Sequence, residues 1–138
     1  MLIYERIYKA LDELLPGGIE GFCSNSEGYV KLRAPAMMDL NIDVQNWKED
    51  GKKKTYRISM AHNFVQNGDV MADPDMEIRI HPELKMAEAL TYQLDSLGIY
   101  QMVYPEPGKM NVKLKKQLNG FLEMWLNNIK EQGHKEQI

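Results

Sequence analysis

The sequence predicts an α+β domain, an antiparallel sheet of about five to six strands flanked by an N-terminal and a C-terminal helix. Three observations carry that reading. Apolar residues recur at helical spacing at the two ends of the chain, apolar and polar residues alternate through its middle, and the links between the alternating runs are short. Parallel strands need long crossover connections, so consecutive strands with short links favour a meander, with both helices on one sheet face.

At the start, Leu2, Ile3, Ile7, Ala10, Leu11, Leu14 and Leu15 fall three and four apart, the spacing of an amphipathic helix over 2–15. Pro16-Gly17-Gly18 ends it, because proline cannot continue a helix and glycine takes the left-handed cap. Residues 29–34 and 40–47 read as strands. In the second, Leu40, Ile42 and Val44 alternate with Asn41, Asp43 and Gln45, and Trp47 closes it. The polar run from Lys48 to Lys54 reads as a loop, with Asp50-Gly51 as its turn pair. Tyr56, Ile58, Met60, His62 and Phe64 then share one strand face, and Arg57, Ser59, Ala61 and Asn63 the other.

Met76, Ile78 and Ile80 mark the next strand, whose opposite face carries Glu77, Arg79 and His81. Residues 87–94 and 98–104 read as two further strands joined near Ser96-Leu97-Gly98, and Pro105-Glu106-Pro107-Gly108 breaks the pattern. Finally Leu114, Leu118, Phe121, Leu122, Trp125, Leu126 and Ile129 form one stripe of a helix from Asn111 to about Gln132, with Asn111 as N-cap and Gly133 as stop. With no repeat, low-complexity segment or internal boundary, residues 1–138 read as a single domain.

The totals narrow the function classes. Hydrophobic residues make up 43% and charged residues 27%, as in an ordinary globular chain. No apolar run nears the roughly 18 residues of a spanning helix, and Glu5, Arg6 and Lys9 interrupt the N-terminal pattern as they would not in a signal peptide. The expectation is a cytoplasmic protein without a membrane partner. Cys23 stands alone, which excludes an intrachain disulfide and a thiolate metal cluster. Seventeen basic against twenty acidic residues, net charge -3, argue against a dedicated nucleic-acid binder. The charge is uneven: Asp69, Asp73, Asp75, Glu77 and Glu83 face one base, Arg79, while the chain from Lys109 onward holds six lysines and three glutamates.

The candidate functional site is the stretch holding His62, Gln66, Asn67, Asp69, Asp73, Asp75 and Glu77. Asn67-Gly68 suits a tight turn and Asp73-Pro74 marks another turn or a strand entry, which would gather the aspartates at one end of the sheet. Gathered oxygen ligands could hold Mg²⁺, Mn²⁺ or Ca²⁺, but turn aspartates also accept backbone N–H groups, and that structural reading is the stronger. The spacing is not that of an EF-hand loop, since Pro74 and Ile80 stand at its sixth and twelfth positions counted from Asp69. An aspartate followed by Glu77-Ile78-Arg79 approximates a metal-dependent nuclease pattern with arginine in place of lysine.

His62 shares its face with Tyr56, Ile58 and Met60 and reads as a partly buried, hydrogen-bonded histidine, and Cys23 as a buried thiol. Lys109, Lys113, Lys115 and Lys116 crowd the first turns of the last helix, where the macrodipole is already positive, and form a candidate anion or partner patch. Tyr92, Tyr100 and Tyr104 stand where they could either pack the helices or form an exposed aromatic patch, and core packing is the stronger reading. No phosphate-loop, dinucleotide, zinc-protease or nucleophile-elbow motif is present.

Three segments carry a resemblance: I-S-M-A-H-N-F-V-Q-N-G-D-V-M-A-D-P-D-M-E-I at 58–78, A-L-T-Y-Q-L-D-S-L-G-I-Y-Q-M-V-Y at 89–104, and N-G-F-L-E-M-W-L-N-N-I at 119–129. Over residues 40–133 the chain resembles an uncharacterised domain family of phage, plasmid and integrative-conjugative-element proteins, marked by Q-N-G-D-x-M-x-D-P-D-M. The resemblance implies a bacterial mobile-element setting and no reaction.

The leading expectation is therefore a non-enzymatic accessory or binding domain acting through a protein partner, with nucleic acid as the other candidate and no cofactor. Its rivals are a metal-dependent, nuclease-like enzyme using Asp69, Asp73, Asp75 and Glu77, the one reading with a divalent metal, and a homo-oligomerisation module built on abundant Tyr, Trp and Met.

Overall fold

A computed structural model describes residues 1–25, 27–50 and 53–136. The chain runs α1 (Ile3–Leu14), α2 (Gly18–Cys23), β1 (Tyr29–Arg33), β2 (Asp39–Asp50), β3 (Lys53–Gln66), β4 (Asp69–His81), β5 (Met86–Ala89), β6 (Thr91–Leu94), a 3₁₀ turn (Asp95–Leu97), β7 (Ile99–Met102), α3 (Val112–Gln132) and β8 (Lys135–Glu136). Among the described residues the strands form one sheet of eight, ordered β7-β6-β4-β3-β2-β1-β8, with β5 also on β4. All pairings are antiparallel.

The α+β class and the antiparallel meander agree with the sequence reading; the strand number exceeds the expected five to six. One extra strand comes from a break in the 87–94 run. The Leu90 carbonyl turns away from β4 to accept the Val103 N–H at 2.9 Å, and the Thr91 hydroxyl takes its place, accepting the Glu77 N–H at 3.1 Å. The other is β8, two residues that follow α3 and pair with β1, too short to leave a periodic signal.

The polar run after Trp47 also departs from the loop reading. β2 continues to Asp50 and β3 begins at Lys53, with Glu49 opposite Lys54 in register. Backbone pairing does not require apolar side chains, so polarity alone did not exclude a strand. The expected turn pair includes Gly51, which lies outside the described residues.

α2 is a second surprise, arising directly from the Pro16-Gly17-Gly18 break. Gly17 adopts φ 77° and Gly18 φ 73°, and the Asp12 carboxylate accepts the Ile19 N–H at 2.8 Å, satisfying one free donor at the new helix start. Six residues are too few for a periodicity to show. The long helix follows expectation: the Asn111 side chain accepts the Leu114 N–H at 3.0 Å, and Gly133, at φ 80°, closes the C-terminus.

One sheet face is apolar. In register across the strands, Val30, Ile42, Met60 and Met76 form one row, and Val44, Ile58, Ile78 and Ala89 the next. These join Ile7 and Leu11 of α1, Ile19, Phe22 and Cys23 of α2, and Leu118, Leu122, Leu126 and Ile129 of α3 in a single buried cluster. The helices therefore all lie on this face. α1 and α3 run side by side, tied by Arg6 to Glu123 and by Lys130 to Glu13 at 3.6 Å. The opposite face carries Asn41, Asp43, Arg57, Ser59, Asn63, Asp75 and Glu77, and no described helix packs over it.

Candidate functional site

β4 holds most of the residues singled out in the sequence, and its course decides what they can do. Asn67 and Gly68, at φ 52° and 85°, make the tight turn expected of them between Gln66 and Asp69. Asp73-Pro74 is not a second turn: it is an irregularity inside one continuous strand of 13 residues, where Asn63 pairs with Ala72 but Ala61 with Asp75. The aspartates are thus strung along a strand instead of gathered in a loop. Asp69 and Asp75, six residues apart, are separated by on the order of 20 Å at strand rise.

Three of the four carboxylates have their own separate partners. Asp69 is exposed at the hairpin tip with Gln66 and Asn67. Asp73 accepts the Ser96 N–H at 3.3 Å and the Ser96 hydroxyl, pinning the 3₁₀ turn to β4. Asp75 accepts the Ser59 hydroxyl at 3.0 Å. Glu77 receives the Arg57 guanidinium, with Nε at 2.8 Å. Among the described residues no group of three or more His, Cys, Asp or Glu side chains is placed to hold a metal ion.

Two acids that the sequence reading passed over belong to this face. Asp95 accepts the Ala72 N–H at 2.7 Å and the Gln93 amide at 2.6 Å, capping the free edge of β4. Asp43, pushed up by burial, stands in register with Ser59 and Glu77. Burial also raises the Asp75 carboxyl; the Ser59 hydrogen bond opposes this, and Glu77, Asp95 and Asp43 add to it. The signal that could have found them is the pairing register, which the strand alternation fixes once the hairpins are placed.

The four lysines do not form one patch. Lys109 precedes α3 and pairs with Glu106 at 3.2 Å. Lys115 turns inward, donating to the Tyr104 hydroxyl at 3.1 Å with Glu88 at 3.9 Å and the Tyr4 and Tyr104 rings nearby. Burial works to lower its pKa, but Tyr104 and Glu88 outweigh it and the ammonium is held above its usual value. Lys113 and Lys116 remain exposed. Of the tyrosines, Tyr92 packs edge-on against Phe121 and Tyr104 is half-buried, but Tyr100 is exposed on β7 rather than in the core.

His62 is buried, as its face predicts, but its surroundings were not legible. Its Nδ1 lies 3.3 Å from the Asp39 carbonyl and its ring 5.3 Å from Trp125 and 5.5 Å from His134, which follows the Gly133 cap. His134 Nε2 lies 3.0 Å from the neighbouring Met38 carbonyl. Facing a carbonyl, each of these nitrogens is the one that donates. Burial lowers the His62 pKa, the Asp39 carbonyl partly opposes it, and His134 lowers it further. Cys23 is buried too, its thiol pushed up to about 12 by burial and then Glu20, which suits packing and not nucleophilic attack.

The depressed histidine gives a pH prediction with a definite sign. The unfolded chain takes up a proton near pH 6.5 that folded His62 refuses, so this contribution is full above about pH 6.5 and shrinks below it, by at most about 1.4 kcal/mol per pH unit. The raised carboxyls of Asp43 and Asp75 act oppositely, gaining stability as pH falls. Comparison with a variant isolates the histidine. Urea unfolding of the wild type and of His62→Gln at pH 7.5 and 5.5 is expected to show a smaller acid loss in the variant; parallel losses would assign the slope elsewhere.

Geometry of this kind defines an α+β domain with one helix-covered face and with separate bonded partners for Asp73, Asp75 and Glu77 of β4. The chain belongs to the domain of unknown function DUF6908, whose family model matches residues 3–135. The match takes in the N-terminal helix, beyond the 40–133 of the sequence resemblance. No curated protein and no solved structure matches the chain. No described helix is long and apolar enough to cross a membrane.

Proposed function

We propose that this domain is a non-enzymatic binding module that takes an extended segment of a protein partner as an added strand on β7, in the mobile-element setting that the sequence resemblance implies. The observation that supports it is the free edge of β7. It ends the sheet, pairing with β6 on one side only among the described residues, and all four of its residues are exposed. Outward N–H and C=O groups of an end strand can pair with another chain, and edges not meant to pair usually carry lysine, proline or an inward charge. From Leu97 to Val103 there is no charge and no proline. Leu97, Ile99, Tyr100 and Met102 add exposed apolar area, continued by Met110 and Val112.

A second copy fits this edge less well. Pairing two four-residue strands buries far less than the roughly 1,200–2,000 Å² of a stable interface, whereas a longer peptide can continue over Met110 and Val112. Nucleic acid is disfavoured by the acidic uncovered face and the dispersed lysines.

A photo-crosslinking amino acid at Tyr100, introduced in cells, tests the reading. The expected product is a crosslink mapping to one extended segment of one other protein, lost when Gln101→Lys puts a charge on the edge. Crosslinks confined to other copies of this chain would make β7 an oligomerisation edge, and a product unaffected by Gln101→Lys would sink strand addition. Purified protein is expected not to shift DNA or RNA at low salt.

A further inference from the structure

A groove on the other side of the molecule is unrelated to β7. The second half of α1, the turn into Pro16, the last turns of α3 and the segment from His134 to Glu136 enclose about 670 Å³, within the range of small-molecule sites. Of its lining residues, Leu15, Leu32, Leu126 and His134 are buried. Four cations stand at the groove, Arg6, Lys9, Lys130 and Lys135, against two anions, Glu13 and Glu136. Arg6 is taken by Glu123 and Lys130 by Glu13, whereas Lys9 and Lys135 have no ion-pair partner among the described residues.

His134 supplies a second observation at this groove. The residue lines the groove and is only 7% exposed. Nε2 is committed to the Met38 carbonyl, and the buried Nδ1 has no hydrogen-bond partner among the described residues. Buried polar atoms in folded proteins are normally paired, so an unpartnered ring nitrogen on a residue that lines the groove is a feature that needs a cause.

We propose that the groove binds a small amphipathic acid, its apolar body against Leu14, Leu15 and Leu126 and its anionic head between Lys9 and Lys135. The apolar floor excludes a simple inorganic anion as the preferred ligand, and the excess of cations selects an acid over a neutral molecule of the same shape. His134 reports on occupancy because it is one of the residues lining the groove.

The test uses the full chain with three probes: decanoate, decanol and inorganic phosphate, each titrated by calorimetry while the His134 ring is followed by NMR. Decanoate is expected to bind saturably and shift the His134 resonances, with decanol and phosphate at least about tenfold weaker. Combining Lys9→Glu with Lys135→Glu is expected to weaken decanoate by about tenfold or more, leaving decanol binding and the thermal midpoint unchanged. Decanol binding as tightly as decanoate would overturn the anionic head, and phosphate doing so would overturn the apolar body. Decanoate binding that ignores the double substitution, or no saturable binding by any probe, overturns the site itself.

Discussion

Ile58→Ala is expected to lower the free energy of unfolding by about 3–4 kcal/mol, toward the upper part of the range for truncating a buried isoleucine. Ile58 is fully buried at the middle of β3. It lies in register between Val44 of β2 and Ile78 of β4, with Ala89 beyond, all on the face under the helices. How much a cavity costs depends on how far its walls can close in. Here both flanking strands are held by ladder hydrogen bonds on either side of β3, so relaxation must come from the helices alone. Urea unfolding followed by circular dichroism measures the loss, with the dependence on denaturant unchanged if only the folded state is affected. A loss under about 1.5 kcal/mol would mean that the helices settle onto the sheet, and that packing here is looser than complete burial suggests.

The same residue shows why the fold was readable. Tyr56, Ile58 and Met60 alternate with Arg57 and Ser59 because one sheet face is covered by helices and the other is not, and that asymmetry is written directly into a period of two. The stripe from Leu114 to Ile129 is as legible, for it has a single apolar surface to satisfy. What escaped was local. α2 and β8 are too short for any period, the break at Leu90 depends on a hydroxyl replacing a backbone carbonyl, and charged residues continue β2 and β3 beyond Trp47. Hydrophobic pattern carries no information on any of these.

The candidate site was legible as composition and illegible as geometry. Reading Asp73-Pro74 as a turn brings three aspartates together; placing it inside a strand separates them. Proline is compatible with both, since it is tolerated at turns and at strand irregularities alike. Nor could the sequence show that Asp73 is bonded to Ser96 and that Asp95 caps Ala72, because both depend on where the 3₁₀ turn lands on β4. Lys115 repeats the lesson. It reads as one member of a charged run, yet its neighbours in space are Tyr4, Glu88 and Tyr104, from three other parts of the chain.

Asn119 sets the second large effect. It stands among the apolar positions of α3, beside Leu118 and a turn before Leu122, and is only 1% exposed. A polar residue at such a place must find partners or destabilise the fold. It finds two: its side-chain oxygen accepts the Ala89 N–H of β5 at 2.9 Å, and its nitrogen donates to the Lys115 carbonyl one turn back at 2.8 Å. The first of these ties α3 to the outer edge of β5, a strand with no further strand to accept its outward amides among the described residues. Asn119→Leu keeps the volume and removes both bonds, stranding the Ala89 N–H in a dry interior. The expected loss is about 2–3 kcal/mol, most of it the desolvation of that single donor and little of it the Lys115 carbonyl, which can still accept from the helix backbone. Hydrogen exchange locates the damage as urea unfolding measures its size: the Ala89 amide is expected to lose protection in the variant well beyond its neighbours on β4. Uniformly faster exchange would instead mark a general loss of stability, and an unchanged Ala89 amide would show that the asparagine does not hold this edge.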